Sequence, residues 1–131
     1  MRQKKNPTLL TEVELEFMTI LWDLRQGSVR DVLAQIAPER GLAYTSAATI
    51  MRILDEKGFV TSQKSGKTLI YRPSIAKETY QTRSLQNLSA KLFDNAPAAL
   101  VARLVNDDGL SQAHLEEIRA LLDRRLDDAS D

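Results

Sequence analysis

The chain has 131 residues, its 18 lysines and arginines are balanced by 18 aspartates and glutamates, and 43% of its residues are hydrophobic. This length suits one domain or a small domain with an extension, and the composition is that of a folded chain. The absence of cysteine excludes disulfides and thiolate metal sites, and a single histidine excludes multi-histidine zinc sites. We therefore expect no enzyme, no cofactor and no metal site.

Charge is distributed unevenly along the chain. Residues 1–73 contain 11 Lys and Arg against 8 Asp and Glu, a net charge of +3, whereas residues 74–131 contain 7 against 10, a net charge of −3. A basic first half suits a module that binds polyanions, although such an asymmetry also arises by chance. No apolar run reaches the ~18 residues of a membrane span, and the basic start leads to Asn6-Pro7 rather than to a signal-peptide core. We expect a cytoplasmic protein without membrane contact.

Two helices are predicted near the start, each from a capping residue. Thr11 and Glu14 form a capping box, and apolar residues then recur at three- and four-residue spacing until Gln26-Gly27 ends the helix. Ser28 caps a second, short helix that stops near Pro38.

A third helix is predicted from Tyr44 or Thr45 to Gly58. One side of it collects the apolar residues Ala47, Ile50, Met51 and Leu54. The opposite arc carries small or polar side chains and one cation, namely Thr45, Ser46, Ala48, Thr49 and Arg52. A helix that enters the major groove of DNA needs such a face, although an ordinary solvated face has a similar composition.

A β-hairpin is predicted next, with strands at 59–63 and 68–72 around Lys64-Ser-Gly-Lys67 and with Pro73 closing the second strand. Three helices followed by a hairpin form the winged helix-turn-helix order. Lys64 and Lys67 at the tip are therefore candidate contacts to DNA, although any solvated hairpin favours the same residue types.

Residues 74–131 are predicted to be helical. A long helix from Ser74 to Asp94 is followed by one that begins at Pro97, and Ser111 caps the last helix. Their apolar stripes cannot all be buried within about 55 residues of one chain. We expect a symmetric homodimer to cover them, with folding back onto the first domain as the alternative. The residues predicted at the dimer contact are Leu100, Leu104, Leu115, Ile118 and Leu122.

The predicted fold class is mainly α. A winged helix-turn-helix DNA-binding domain with three helices and a β-hairpin wing is expected in residues 1–73, and a helical dimerisation domain in residues 74–131.

Several stretches match one known protein family. They are Leu10–Met18 with Leu21-Trp22, Ser28–Val32, Thr45–Gly58, Gly66-Lys67 with Tyr71–Pro73, and Leu110–Asp123. On these stretches the chain resembles the penicillinase and methicillin-resistance repressors, a family that also includes copper-responsive repressors. The resemblance implies a winged-helix domain, a helical dimerisation domain and repression at dyad-symmetric operators.

Carried over position by position, the resemblance implies recognition-helix contacts at Thr45, Ser46 and Thr49 and a wing contact at Lys67. Tyr44 departs from the family, because many members have proline there.

The resemblance also bears on induction. In the antibiotic-resistance members induction follows cleavage of an Asn–Phe bond, and this sequence has Arg103-Leu104 at that place. The copper-responsive members bind metal through a C-terminal cysteine cluster, which a chain without cysteine cannot do.

The main hypothesis is a dimeric, sequence-specific transcriptional repressor, autoregulated and linked to antibiotic or cell-envelope stress. Its expected partners are double-stranded DNA, a second copy of the chain, and a sensor or protease pathway that relieves repression. The alternative is a winged-helix protein-interaction module, in which the polar helix face is merely solvated and the helical tail docks a partner.

Overall fold

The computed structural model describes residues 9–130. The basic start of the chain, on which part of the localisation prediction depends, lies outside the described residues. The elements in chain order are α1 (Glu12–Leu24), α2 (Val29–Leu33), a 3₁₀ turn (Pro38–Arg40), α3 (Tyr44–Glu56), β1 (Val60–Ser65), β2 (Thr68–Pro73), α4 (Lys77–Leu92), α5 (Pro97–Val105) and α6 (Gln112–Ala129). This order confirms the predicted fold class of three helices, a hairpin and a helical tail.

The two predicted caps near the start are confirmed. At α1 the backbone N–H of Glu14 donates to Thr11 Oγ1 at 3.2 Å, and the N–H of Thr11 donates to Glu14 Oε1 at 2.9 Å. Ser28 caps α2 in the same way. The end of α1 differs from the prediction, because Arg25 rather than Gln26-Gly27 terminates the helix with a φ of 78°.

The core of the first compact unit lies between the three helices and the hairpin. In α3 the side chains of Ala47, Met51 and Leu54 are fully buried, as the helical periodicity predicts. The buried hydrophobic residues are Phe17, Met18, Leu21, Val29, Val32, Ile36, Ala47, Met51, Leu54, Phe59, Val60, Tyr71 and Tyr80.

The hairpin is longer and its turn tighter than predicted. Ser65 pairs with Thr68, so only Gly66-Lys67 form the turn, and Gly66 takes a φ of 66° that favours glycine. The second strand is also bridged to the turn between α1 and α2. There the N–H of Gly27 donates to Tyr71 O at 2.9 Å, and the N–H of Tyr71 donates to Gly27 O at 2.8 Å. This bridge fixes the hairpin against the helices.

The chain divides into two compact units, and the division falls after Leu85. The sequence predicted a domain boundary at residue 73, whereas the first compact unit extends to Leu85. The reason is Tyr80 on α4, which is buried in the core of the first unit with its ring centroid 5.8 Å from that of Phe59. The N–H of Leu10 also donates to the Tyr80 hydroxyl at 2.9 Å.

The second unit begins at Gln86 and contains the end of α4, with α5 and α6. Pro97 occupies the first turn of α5, and Ser111 caps α6 in a capping box with His114, as the sequence predicted for both helix starts. None of the side chains of residues 86–130 is buried. This unit therefore has no hydrophobic core of its own within the described chain.

Candidate nucleic-acid interface

The predicted recognition face lies on the exposed side of α3. Thr45, Ser46, Thr49 and Arg52 are exposed, whereas Ala48 is half-buried. Ala48 packs partly against the core, because it lies at the border between the two sides of the helix. The helix begins at Tyr44, and its N-cap residue Ala43 forms no side-chain capping hydrogen bond.

Two polar side chains on this face already have local partners. The hydroxyl of Thr49 donates to the carbonyl oxygen of Thr45 at 3.0 Å, so the hydroxyl oxygen is left as an acceptor. The guanidinium of Arg52 forms an ion pair with Glu56 at 2.9 Å, with both side chains more than half exposed. Exposed pairs of this spacing contribute only about 0.3–0.5 kcal/mol, so a stronger anionic ligand can displace Glu56.

The two lysines of the wing differ in position from the prediction. Lys67 lies in the turn, but Lys64 lies within β1 opposite Leu69 rather than at the tip. The predicted placement of Lys64 at the tip was wrong, because the strands extend to Ser65 and Thr68 and leave only Gly66-Lys67 in the turn. Both lysines are exposed.

A groove of about 540 Å³ lies between α2, the start of α3 and the wing. Its lining includes Ser28 and Arg30 from α2, Tyr44 and Ala48 from α3, and Lys67 and Thr68 from the wing. The groove therefore joins the start of the polar helix face to the wing tip.

Arg30 and Tyr44 were not among the predicted site residues. The guanidinium carbon of Arg30 lies 5.0 Å from the centroid of the Tyr44 ring, a cation–π distance. The only sequence feature that could have pointed to Arg30 is its place as an exposed arginine in the first turn of α2, next to the Ser28 cap. Sequence spacing alone does not bring it to Tyr44, because the two residues lie on different helices.

A partly buried ion pair fixes the end of α3 next to the start of α1. The Nζ of Lys57 lies 2.6 Å from Glu14 Oε1. Burial favours the neutral form of Glu14, but the hydrogen bond and charge of Lys57, together with hydrogen bonds from Thr11, outweigh it and lower the pKa of Glu14. Glu14 therefore has two structural roles: it completes the cap of α1, and its ion pair with Lys57 holds the end of α3 against α1.

The residues predicted for dimer contact lie on α5 and α6 in the second unit. Leu104, Leu115 and Leu122 are exposed, and Leu100 and Ile118 are half-buried. Further leucines of this unit, including Leu121 and Leu126, are also exposed.

Within residues 9–130 no helix is long and apolar enough to span a membrane. The same part of the chain holds no cluster of three or more His, Asp or Glu side chains that could bind a metal ion.

Three helices, a bridged hairpin and an exposed polar face on the third helix define a winged helix-turn-helix protein. Residues 10–124 match the family model described as penicillinase repressor. The chain belongs to the penicillinase repressor family, whose members are DNA-binding transcriptional repressors.

Three relatives illustrate the similarity. The methicillin resistance regulatory protein MecI of Staphylococcus aureus is 24% identical over 116 residues, which cover 88% of this chain and 94% of that protein. The penicillinase repressor of Bacillus licheniformis is 21% identical over 120 residues, which cover 92% of this chain and 93% of that protein. The solved DNA-binding domain of the repressor BlaI aligns with a TM-score of 0.50 at 24% identity, covering 60% of this chain and 94% of that domain, and so agrees in fold.

Proposed function

We propose that this protein is a dimeric transcriptional repressor that acts in the cytoplasm and binds dyad-symmetric operators through α3 and the wing. The observation that carries the proposal is the groove whose walls include Tyr44 and Ala48 at the start of α3 and Lys67 at the wing tip. In winged-helix proteins the recognition helix enters the major groove of DNA, and the wing reaches the adjacent backbone or minor groove. Membership of a repressor family supports the same function.

We assign a role to each side chain of the recognition face, and its local geometry supports the assignment. Thr49 accepts a hydrogen bond from a base amino group, because its own proton is committed to the Thr45 carbonyl. Arg52 exchanges Glu56 for a phosphate or a guanine edge. The small side chains of Ser46 and Ala48 allow the helix to approach the bases closely.

The wing supplies charge rather than sequence recognition. Lys67 in the turn and Lys64 on β1 are exposed cations, and we assign both to backbone phosphates. Thr45, in the first turn of α3, is assigned a contact to phosphate or to a base edge.

The dimer is proposed because the second unit has no core. Exposed leucines on a helical unit mark a surface for a partner, and a second copy of the same face is the commonest solution in soluble proteins. We assign the contact to Leu100, Leu104, Leu115, Ile118 and Leu122. A two-fold dimer of this kind presents two recognition helices to two half-sites about one helical turn apart.

Titration of the purified chain against its own upstream promoter tests DNA binding and autoregulation together. A scrambled duplex is the control, and two salt concentrations give the electrostatic contribution. We expect the promoter to bind at least about 10³-fold more tightly than the scrambled duplex. Release of counterions from about six phosphates predicts a log–log salt slope near −5. Equal, weak binding to both duplexes points to a distant operator or to a protein-interaction module, and selection of bound fragments from the whole genome separates these two outcomes.

Substitution of Thr49 tests the recognition face directly. Thr49→Ala and Arg52→Ala are each expected to weaken operator binding by about 1–3 kcal/mol. Thr19→Ala is the matched control, because the exposed Thr19 on α1 makes the same hydrogen bond to the carbonyl four residues earlier, at 2.8 Å. Operator affinity that stays within twofold in both α3 variants would show that α3 is not the recognition helix.

We further propose that the regulated genes respond to antibiotic or cell-envelope stress and that a sensor or protease pathway relieves repression. Support comes from the names of the relatives, a methicillin resistance regulator and a penicillinase repressor. Transcripts of the genes next to bound fragments should rise after exposure of the source cells to a cell-wall antibiotic. Unchanged transcripts would remove this part of the proposal and leave DNA binding untouched.

A further inference from the structure

We infer that Arg30 on α2 binds a backbone phosphate of the operator and that Tyr44 is the positioning residue that holds it there. The inference rests on the proposed function, because it assumes that the α3 face and the wing meet DNA. It adds a second helix to that interface, through two residues that the sequence analysis did not select. The contact that points to it is the guanidinium carbon of Arg30, which lies over the Tyr44 ring, 5.0 Å from its centroid.

The cation–π contact holds the guanidinium over the ring while leaving its donors available. The planar cation is attracted to the face of the ring, so the N–H groups along its edge remain free to bind an anion with two parallel hydrogen bonds. Within residues 9–130 no carboxylate forms an ion pair with Arg30, whereas Arg40 and Arg52 each form one. An oriented arginine without such a partner suits an external anionic ligand.

The groove around Arg30 has the charge that a phosphodiester requires. Lys67 lies in the same lining, and Ser28 and Thr68 add hydroxyl groups. The carboxylate of that lining, Asp31, accepts the backbone N–H of Ser28 at 2.9 Å and is therefore already engaged in the cap of α2. The lining therefore contains two cations, Arg30 and Lys67, and one carboxylate, Asp31, so the groove has a net positive charge.

The ligand is DNA backbone rather than an acidic peptide, because the groove continues directly onto the recognition face. Ala48 on α3 and Lys67 on the wing both line it. A duplex whose major groove holds α3 brings a phosphate strand past the start of that helix. Tyr44 is the first residue of α3 and is 45% exposed, so the stacked pair lies at this edge.

The test uses the full chain with two probes, a mixed-sequence duplex and an operator fragment selected with the wild-type protein. Arg30→Ala should weaken binding to both probes by the same factor and reduce the magnitude of the log–log salt slope by about 0.9 per bound protomer. Arg124→Ala, which removes an exposed arginine from α6, is the charge-matched control and should leave binding and slope unchanged.

Variants of Tyr44 test the positioning role. Tyr44→Leu should weaken binding to both probes by about two- to fivefold, whereas Tyr44→Phe keeps the ring face and should stay within twofold of the wild type. In an Arg30→Ala background, Tyr44→Leu should have no further effect. Thermal melts of each variant separate loss of binding from loss of folding.

The possible outcomes separate the inference from the proposed function. A wild-type chain that binds neither probe overturns both. A wild type that binds, with an Arg30→Ala variant of unchanged slope, overturns the inference alone. A loss of binding in Arg30→Ala that is confined to the selected operator also overturns the inference alone, because phosphate contacts carry no sequence information. An equal effect of Tyr44→Leu with and without Arg30 would refute the positioning role.

Discussion

Aspartate at Leu104 and Leu122 is expected to convert the proposed dimer into monomers. In the single chain these side chains, on α5 and α6, are 50% and 53% exposed. A leucine that remains half exposed in a folded protomer has that half of its surface available for a partner. The double variant therefore removes apolar contact from both helices of the proposed interface and places a charge at each position.

The expected magnitude follows from the exposed fractions. Complete burial of a leucine side chain contributes about 1.5–3 kcal/mol, so burial of the exposed half contributes about 1 kcal/mol. Two leucines in each of two copies then contribute about 4 kcal/mol, which corresponds to an approximately thousandfold change in the dimer dissociation constant. Desolvation of the new carboxylates adds to this value.

Sedimentation equilibrium at micromolar concentration measures the effect, and operator titration shows its consequence for DNA binding. Leu15→Asp is the matched control, because Leu15 is an exposed leucine on α1 of the first unit, with 40% exposure. This control should remain dimeric. A wild-type chain that sediments as a monomer, or a double variant that still sediments as a dimer, would show that these leucines do not hold two copies together.

Three further predictions concern single side chains. The lowered pKa of Glu14 means that its stabilising contribution is complete above its ordinary value of 4.5 and is lost as the pH falls through the lower folded-state pKa. Urea unfolding should therefore show Glu14→Gln to be less stable than wild type at pH 7, by a margin that shrinks in acid, and a margin independent of pH would contradict this. Glu56→Gln should release Arg52 and raise affinity for mixed-sequence DNA by about twofold, as measured by fluorescence anisotropy; a fall would instead mean that Glu56 contacts DNA. Gly66→Ala should destabilise the fold by about 1 kcal/mol in thermal melts because of the positive φ, and an unchanged melting temperature would show that the turn adapts.

Much of the first unit could be predicted because its signals are local. Each cap at Thr11, Ser28 and Ser111 joins residues three positions apart, so the sequence pattern contains the whole interaction. The buried side of α3 follows from helical periodicity in the same way. These signals determine where helices begin and which side each one buries.

Other differences between the sequence-based predictions and the structure occur where distant segments meet. The bridge between Gly27 and Tyr71 joins the wing to the α1–α2 turn, and Trp22 donates its indole N–H to the carbonyl oxygen of Ile75 at 2.8 Å. The hydrogen bond to Ile75 and the burial of Tyr80 tie the start of α4 to the first unit, which extends to Leu85, whereas hydrophobic pattern and composition placed a boundary at residue 73. The stacking of Arg30 on another helix was missed for the same reason, since it depends on tertiary packing.

The proposed DNA interface of one protomer has few cations, so we expect control of repression to act on the second unit, where the proposed dimer contact lies. Arg30, Arg52, Lys64 and Lys67 face DNA in the assignments above, while the chain as a whole has a formal net charge of +0. One such surface binds weakly in salt, but a second copy held nearby makes the second contact intramolecular and raises the overall affinity by orders of magnitude. Any signal that separates the two copies then removes this gain. We expect such a signal to relieve repression without thiolate chemistry, because the chain has no cysteine.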